Sequence, residues 1–200
     1  MRERHWLDAG TAVPVVFFTT TVLCGLVQGN YNHLSRQVSE LGTIGTNSQY
    51  LFAAGLVLSS FLSILFIAWL LGACRRLQLS VWPVWPMFAF SVSIAGAAMF
   101  PLPLRMHQIM GSPVFLLLLS PLLGLILWPK NRLAANIRWM SVLSLLIMAL
   151  GFLAYFPDIL ASYPGLKQRF FHAGWAIWFV YLSRAFRRAL ENQRIEAGRP

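Results

Sequence analysis

Residues 50–74 read YLFAAGLVLSSFLSILFIAWLLGAC, with no charged side chain anywhere in the stretch. A helix that crosses about 30 Å of hydrocarbon needs about 20 mostly apolar residues, and this run exceeds that length. Inside a bilayer the backbone has no water to bond, so such a segment closes its own hydrogen bonds as a helix. Five more runs surround it: Ala9–Gly29, Val81–Phe100, Ile109–Trp128, Trp139–Phe156 and Phe170–Leu182. The last is short, but Ser183, Ala185 and Phe186 extend it by a turn. The expected fold class is all-α, a polytopic membrane protein built as a six-transmembrane-helix bundle.

With 58% apolar side chains in 200 residues, little chain is left over for a soluble domain. One integral-membrane domain is expected over 1–186, followed by a basic tail over 187–200. Arg2 and Arg4 ahead of an apolar run resemble the start of a signal peptide. That run is too long and lacks a small-x-small cleavage site, so it reads as a retained anchor. Cys24 and Cys74 lie at opposite ends of adjacent spans and form neither a pair nor a CxxC, so cysteine indicates no redox or metal chemistry.

The net charge of +10 invites a nucleic-acid reading, which its distribution opposes. Arg36, Arg105, Lys167 and Arg169 fall on one side of the alternating runs. Every other basic residue falls on the opposite side: Arg2, Arg4, Arg75, Arg76, Lys130, Arg132, Arg138, Arg184, Arg187, Arg188, Arg194 and Arg199. The positive-inside rule then expects a multi-pass protein of the cell inner (plasma) membrane with both termini cytoplasmic. The basic side meets anionic headgroups, so the partners expected are membrane lipids and no nucleic acid. A membrane protein partner or a second copy of the chain is compatible with this pattern.

No Asp, Glu, Lys or Arg lies inside any of the six runs, and His172 is their single histidine. Ion-coupled transport needs titratable or coordinating groups at mid-depth, so that class is disfavoured. Polar side chains collect instead on the outer side. In the first outer loop, Asn32–Leu41 fits a short amphipathic helix ending at Gly42, a residue suited to a left-handed stop. At 100° per residue His33, Arg36, Gln37 and Glu40 share one face and Leu34, Val38 and Leu41 another. The plain interpretation is a solvated face with an Arg36–Glu40 pair; the sharper one is a face closing over a pocket. Arg105 and His107 open the fourth run, and Gln168, Arg169 and His172 open the sixth.

Arginine forks bind oxyanions bidentately, and a histidine near neutrality exchanges protons. Arg36, Gln37, Arg105, Gln168 and Arg169 are therefore candidate ligand-binding residues. Glu40, His107 and His172 are candidate catalytic residues. No HExxH or other close metal spacing is present, so no metal and no cofactor is expected. Small residues such as Ala95-Gly96-Ala97-Ala98 let helices approach closely. Trp6, Trp82, Trp128, Trp139 and Trp175 fall near run ends, at the depth indoles prefer.

Ser39-Glu40-Leu41-Gly42 after Tyr31, with Arg36-Gln37 just upstream, resembles the first outer loop of an uncharacterised bacterial and archaeal multi-pass family, domain of unknown function DUF998. Met99-Phe100-Pro101 followed by His107, and Gly165-Leu166-Lys167-Gln168-Arg169, match its other marks. The resemblance covers nearly the whole chain. It implies six helices, no established activity, and Arg36, Gln37, Glu40, Gly42, Pro101, His107, Gln168 and Arg169 as marked positions. The family is distantly similar to the eukaryotic DRAM/Frag-type membrane proteins, some linked to lipid remodelling.

The function expected is binding of an anionic lipid headgroup or lipid-linked intermediate in an outer-leaflet pocket, with or without acid–base chemistry. The alternatives are a non-enzymatic accessory or scaffold subunit and, behind it, an uncoupled flippase or channel.

Overall fold

The structure is a computed structural model that describes residues 4–128, 133 and 136–197. Arg2, Lys130, Arg132 and Arg199, counted above on the basic side, lie outside the described residues, as do the side chains of Arg4 and Trp6.

Every regular element among the described residues is helical. Helix α1 spans Arg4–Gln28, α2 Gln49–Arg76 and α3 Pro86–Met99. Next comes one continuous helical rod: α4 (Arg105–Gly111), a 3-10 segment Ser112–Leu118, and α5 (Leu119–Leu127). Pro113, in the first turn of the 3-10 segment, has no N–H to give the α ladder, and the rod tightens there. Helix α6 (Ile137–Ala149) likewise ends in a 3-10 segment, Leu150–Tyr155, and α7 runs through Pro164–Ala197.

Four of these stretches are long and apolar enough to cross a membrane: Asp8–Gln28, Gln49–Arg76, Arg105–Leu127 and Ile137–Tyr155. Their outward faces carry Leu26, Phe61, Ile126 and Leu146, all more than half exposed. So much contiguous exposed apolar surface suits lipid and not water. These are the helices of a membrane protein. Helix α3 is shorter, at 14 residues, and α7 is long, at 34 residues, but less apolar overall.

Helix α1 packs against α2 and α7, α2 against α3, α3 against the Ser112–Leu118 segment, and α6 against α7. The centre is aromatic. Trp175 of α7 is fully buried, with the rings of Phe90, Phe17 and Phe179 centred 4.5, 5.3 and 5.4 Å away. Trp175 is therefore a core residue and not an interfacial one, because α7 starts earlier than its apolar run and carries this turn into the bundle. Trp128 is also buried, donating from Nε1 to the Ser80 carbonyl at 2.8 Å. Trp82 and Trp139 are about two-thirds exposed, as an interfacial position requires.

Two sequence expectations change. The apolar runs ending at Phe156 and starting at Phe170 leave 157–169 as a connection, but α7 already begins at Pro164, where proline's fixed φ suits a first turn. The segment Asn32–Leu41 is not one amphipathic helix. Residues 33–35 form a turn, and a 3-10 helix covers Val38–Gly42. Asn32 Oδ1 accepts the N–H groups of Leu34 (2.9 Å) and Ser35 (3.3 Å), a local bond that competes with the helical ladder. Gly42 does not adopt a left-handed conformation either. A Cβ there would lie 2.6 Å from the Phe52 ring, so close packing is what requires the glycine.

Both cysteines are free and buried. Helix α7 passes without a break through the expected boundary at 186, and Arg187 pairs with Asp8 of α1 at 3.1 Å.

Candidate functional site

The loop after α1 turns at Gly29, whose φ of +79° only glycine adopts freely. It then lies against the start of α7. Two backbone contacts set the register: Leu166 N–H donates to the Leu34 carbonyl at 2.9 Å, and Gly165 sits where any Cβ would run into the Arg36 carbonyl oxygen. Side chains lock it. Gln168 Oε1 accepts the Val38 N–H at 2.7 Å. Arg169 donates through Nη1 to the carbonyls of Arg36 and Gly165, both at 3.0 Å. Its Nη2 donates to the Tyr31 hydroxyl at 3.2 Å and to His33 Nδ1 at 2.9 Å.

Tyr31 is the hub of this clamp. Its hydroxyl faces the carbonyl oxygens of Gln37 (2.7 Å) and Arg36 (3.1 Å), and the guanidiniums of Arg36 and Arg169 lie 5.4 and 5.9 Å from its ring centre. Burial pushes the Tyr31 phenol above its ordinary range, opposed by the hydrogen bond and charge of Arg169. Burial and then the Arg169 charge push the His33 imidazole below its ordinary range. Arginine only donates, so His33 Nδ1 must carry a lone pair and the ring is neutral. Glu40 accepts from Arg36 Nε at 2.8 Å and from the Gln37 N–H at 2.8 Å. The Arg36–Glu40 pair is about one-third exposed on each side, which limits its worth to a few tenths of a kcal/mol.

The structure thus brings together Arg36, Gln37, Glu40, Gln168 and Arg169. It leaves Arg105 and His107 apart: Arg105 is exposed at the start of α4, and His107 Nδ1 donates to the Phe100 carbonyl at 2.8 Å. Among the described residues no hydrogen bond or ion pair joins either of them to the clamp. Lys167 is buried with its Nζ on the Phe156 carbonyl at 2.8 Å.

Beneath the clamp is a cavity of about 280 Å³, lined on its polar side by Gln37, Gln168 and His172. Val114, Phe115, Ala154, Tyr155 and Phe171 form its apolar wall. His172 is buried, and its Nδ1 accepts the Trp175 Nε1–H at 3.1 Å. A second cavity of about 210 Å³ lies between α2 and α3 and reaches Gln49 and Pro101. Among the described residues, no three His, Cys, Asp or Glu side chains converge as a metal-ligand set.

A family model described as "Protein of unknown function (DUF998)" matches residues 11–185. The chain belongs to the DUF998 family. The match takes in the whole clamp and the whole cavity, so both lie within the DUF998 region. Comparison with curated proteins and with solved structures gives no match.

Three contributors to this DUF998 site escape a sequence reading. Tyr31 stood outside the expected helix, and its role depends on α7, far along the chain. Gly165 enters the sequence reading only within the Gly165–Arg169 mark, which does not show that its use is close approach to the Arg36 backbone. Trp175 read as a membrane-interface residue, whereas it orients His172. The spacing of three between His172 and Trp175, one helical turn, was the available signal.

Proposed function

We propose that this DUF998 protein is a six-span protein of the inner membrane that binds an anionic lipid at its outward-facing end. The two spans beyond the four long apolar helices are α3 with its preceding turn and α7. At 1.5 Å per residue α7 extends about 51 Å, enough to cross and to emerge. The charge asymmetry puts both termini in the cytoplasm and the Tyr31–Arg169 clamp outside.

The observation that carries the lipid reading is the cavity itself. Amide and imidazole groups and aromatic and aliphatic side chains line it together, and an arginine, Arg36, directly precedes the lining residue Gln37 in the chain. Arg36 and the amides of Gln37 and Gln168 hold the headgroup, and Glu40 orients Arg36. Arg169 is committed to four protein acceptors; it positions the loop and is not the anion's ligand. Glu40 has both oxygens engaged, so binding without chemistry is the favoured reading. Arg105 and His107 attract headgroups at the second outward loop.

Native mass spectrometry of the protein in phosphatidylglycerol nanodiscs tests this. Ala154→Trp, which fills the cavity from an exposed position, is expected to strip bound phosphatidylglycerol while leaving the protein folded. Undiminished lipid retention in that variant would overturn the reading. The second reading, an accessory or scaffold subunit, is favoured by how completely the clamp satisfies itself. It expects Arg36→Ala to leave lipid occupancy unchanged.

A further inference from the structure

The indole N–H of Trp175 only donates, so the 3.1 Å contact requires a lone pair on His172 Nδ1. The proton of the neutral ring is then on Nε2. That Nε2 is buried and has no hydrogen-bond partner. A buried donor left unpaired is destabilising, and the neighbouring rings, Phe17 at 4.8 Å and Trp175, offer it no acceptor oxygen. The side chain belongs to the wall of the 280 Å³ cavity.

We propose that His172 Nε2–H is the donor for an ester carbonyl oxygen of the bound lipid. The cavity would then grip an ester-linked lipid at its glycerol level and would discriminate against an ether-linked one. The inference rests on the lipid reading above. Two features favour an uncharged acceptor. The rings of Phe17, Phe171 and Trp175 lie against His172, and burying a phosphate there without a cation is far costlier than burying a carbonyl. The nearest cation in the chain, Arg36, precedes the lining residue Gln37 and is not itself part of the wall. The spacing along α7 agrees: His172 lies four residues after Gln168, on the same helical face and about 6 Å deeper. A headgroup held by Arg36 and Gln168 places its glycerol esters about one helical turn below.

The test compares diacyl phosphatidylglycerol with the dialkyl ether analogue of the same chain lengths, by native mass spectrometry on the full chain. Wild type is expected to prefer the diacyl lipid by about fivefold or more, the equivalent of one hydrogen bond of about 1 kcal/mol. His172→Phe, which keeps an aromatic ring and removes the donor, is expected to bind both lipids alike. His172→Gln, which restores an N–H, is expected to recover part of the preference. Equal binding of the two lipids by wild type overturns the inference and leaves the lipid reading standing. So does a preference that persists in His172→Phe. Absence of both lipids from wild type overturns both.

Discussion

Arg169 Nη2 donates to His33 Nδ1 at 2.9 Å, joining residues 136 positions apart in the chain. One guanidinium thereby ties the loop after α1 to the first turns of α7. The His33 ring is held in place from behind as well, since a Cβ on Gly25 of α1 would lie 2.6 Å from its Nε2.

Arg169→Ala should lower stability by about 2–4 kcal/mol, because it strips several charge-assisted hydrogen bonds at once. Arg169→Lys should recover little of this, since an ammonium cannot span two carbonyls, a hydroxyl and an imidazole in one plane. Thermal unfolding in detergent reads the stability, and limited proteolysis between residues 30 and 48 reads whether the loop has come away. Equal stability of Arg169→Ala and wild type would show that the clamp is not structural.

Acid should open the same clamp. The folded-state pKa of His33 is depressed, so between that value and the unfolded value of about 6.5 the unfolded chain binds more protons. Stability therefore rises with pH in that window and is lost as pH falls below about 6.5. Protonation would remove the lone pair that Arg169 uses and set two cations side by side, with Tyr31 against them and Arg36 and Glu40 next along the loop. Unfolding midpoints measured between about pH 7 and pH 5 should fall in wild type and change less in His33→Asn. Parallel curves for the two proteins would refute the assignment.

Gly165→Ala and Gly72→Ala make a matched pair. A methyl group at 165 meets the Arg36 carbonyl, whereas one at 72 meets nothing within 4 Å. The first should destabilise by about 2 kcal/mol or more, through overpacking against backbone. The second should stabilise α2 by about 0.5–1 kcal/mol, the helix-propensity difference. A similar effect of both substitutions on the unfolding midpoint would contradict the close approach at Gly165.

Between α2 and α3 the link is polar. Ser91 Oγ donates to Ser63 Oγ at 2.8 Å, and Ser60 Oγ donates to the Ser91 carbonyl at 2.8 Å. Hydrogen bonds between helices in lipid average about 0.6 kcal/mol and reach about 1.7. Ser91→Ala should fall in that range, with no added cost from Ser63→Ala in the same chain, because one bond is lost either way. A double-mutant cycle in detergent measures this coupling.

The sequence by itself determined that this chain is helical and which stretches are apolar enough for a membrane. Charge-free runs such as Tyr50–Cys74 leave the backbone no alternative to its own hydrogen bonds in lipid. The Arg36–Glu40 pair was legible for the same local reason, since a spacing of four suffices to bring the two together. The rest was decided by tertiary structure. The first loop forms a turn and a 3-10 helix instead of an amphipathic α-helix, because its polar groups find partners in Tyr31, Gln168 and Arg169 and need no helical ladder. Trp175 is buried, and His172 beside it keeps a donor without an acceptor. No periodicity reports contacts between residues more than a hundred positions apart. Packing of α7 against α1 and α6 is what turned six apolar runs and a scatter of polar residues into a clamp over a cavity.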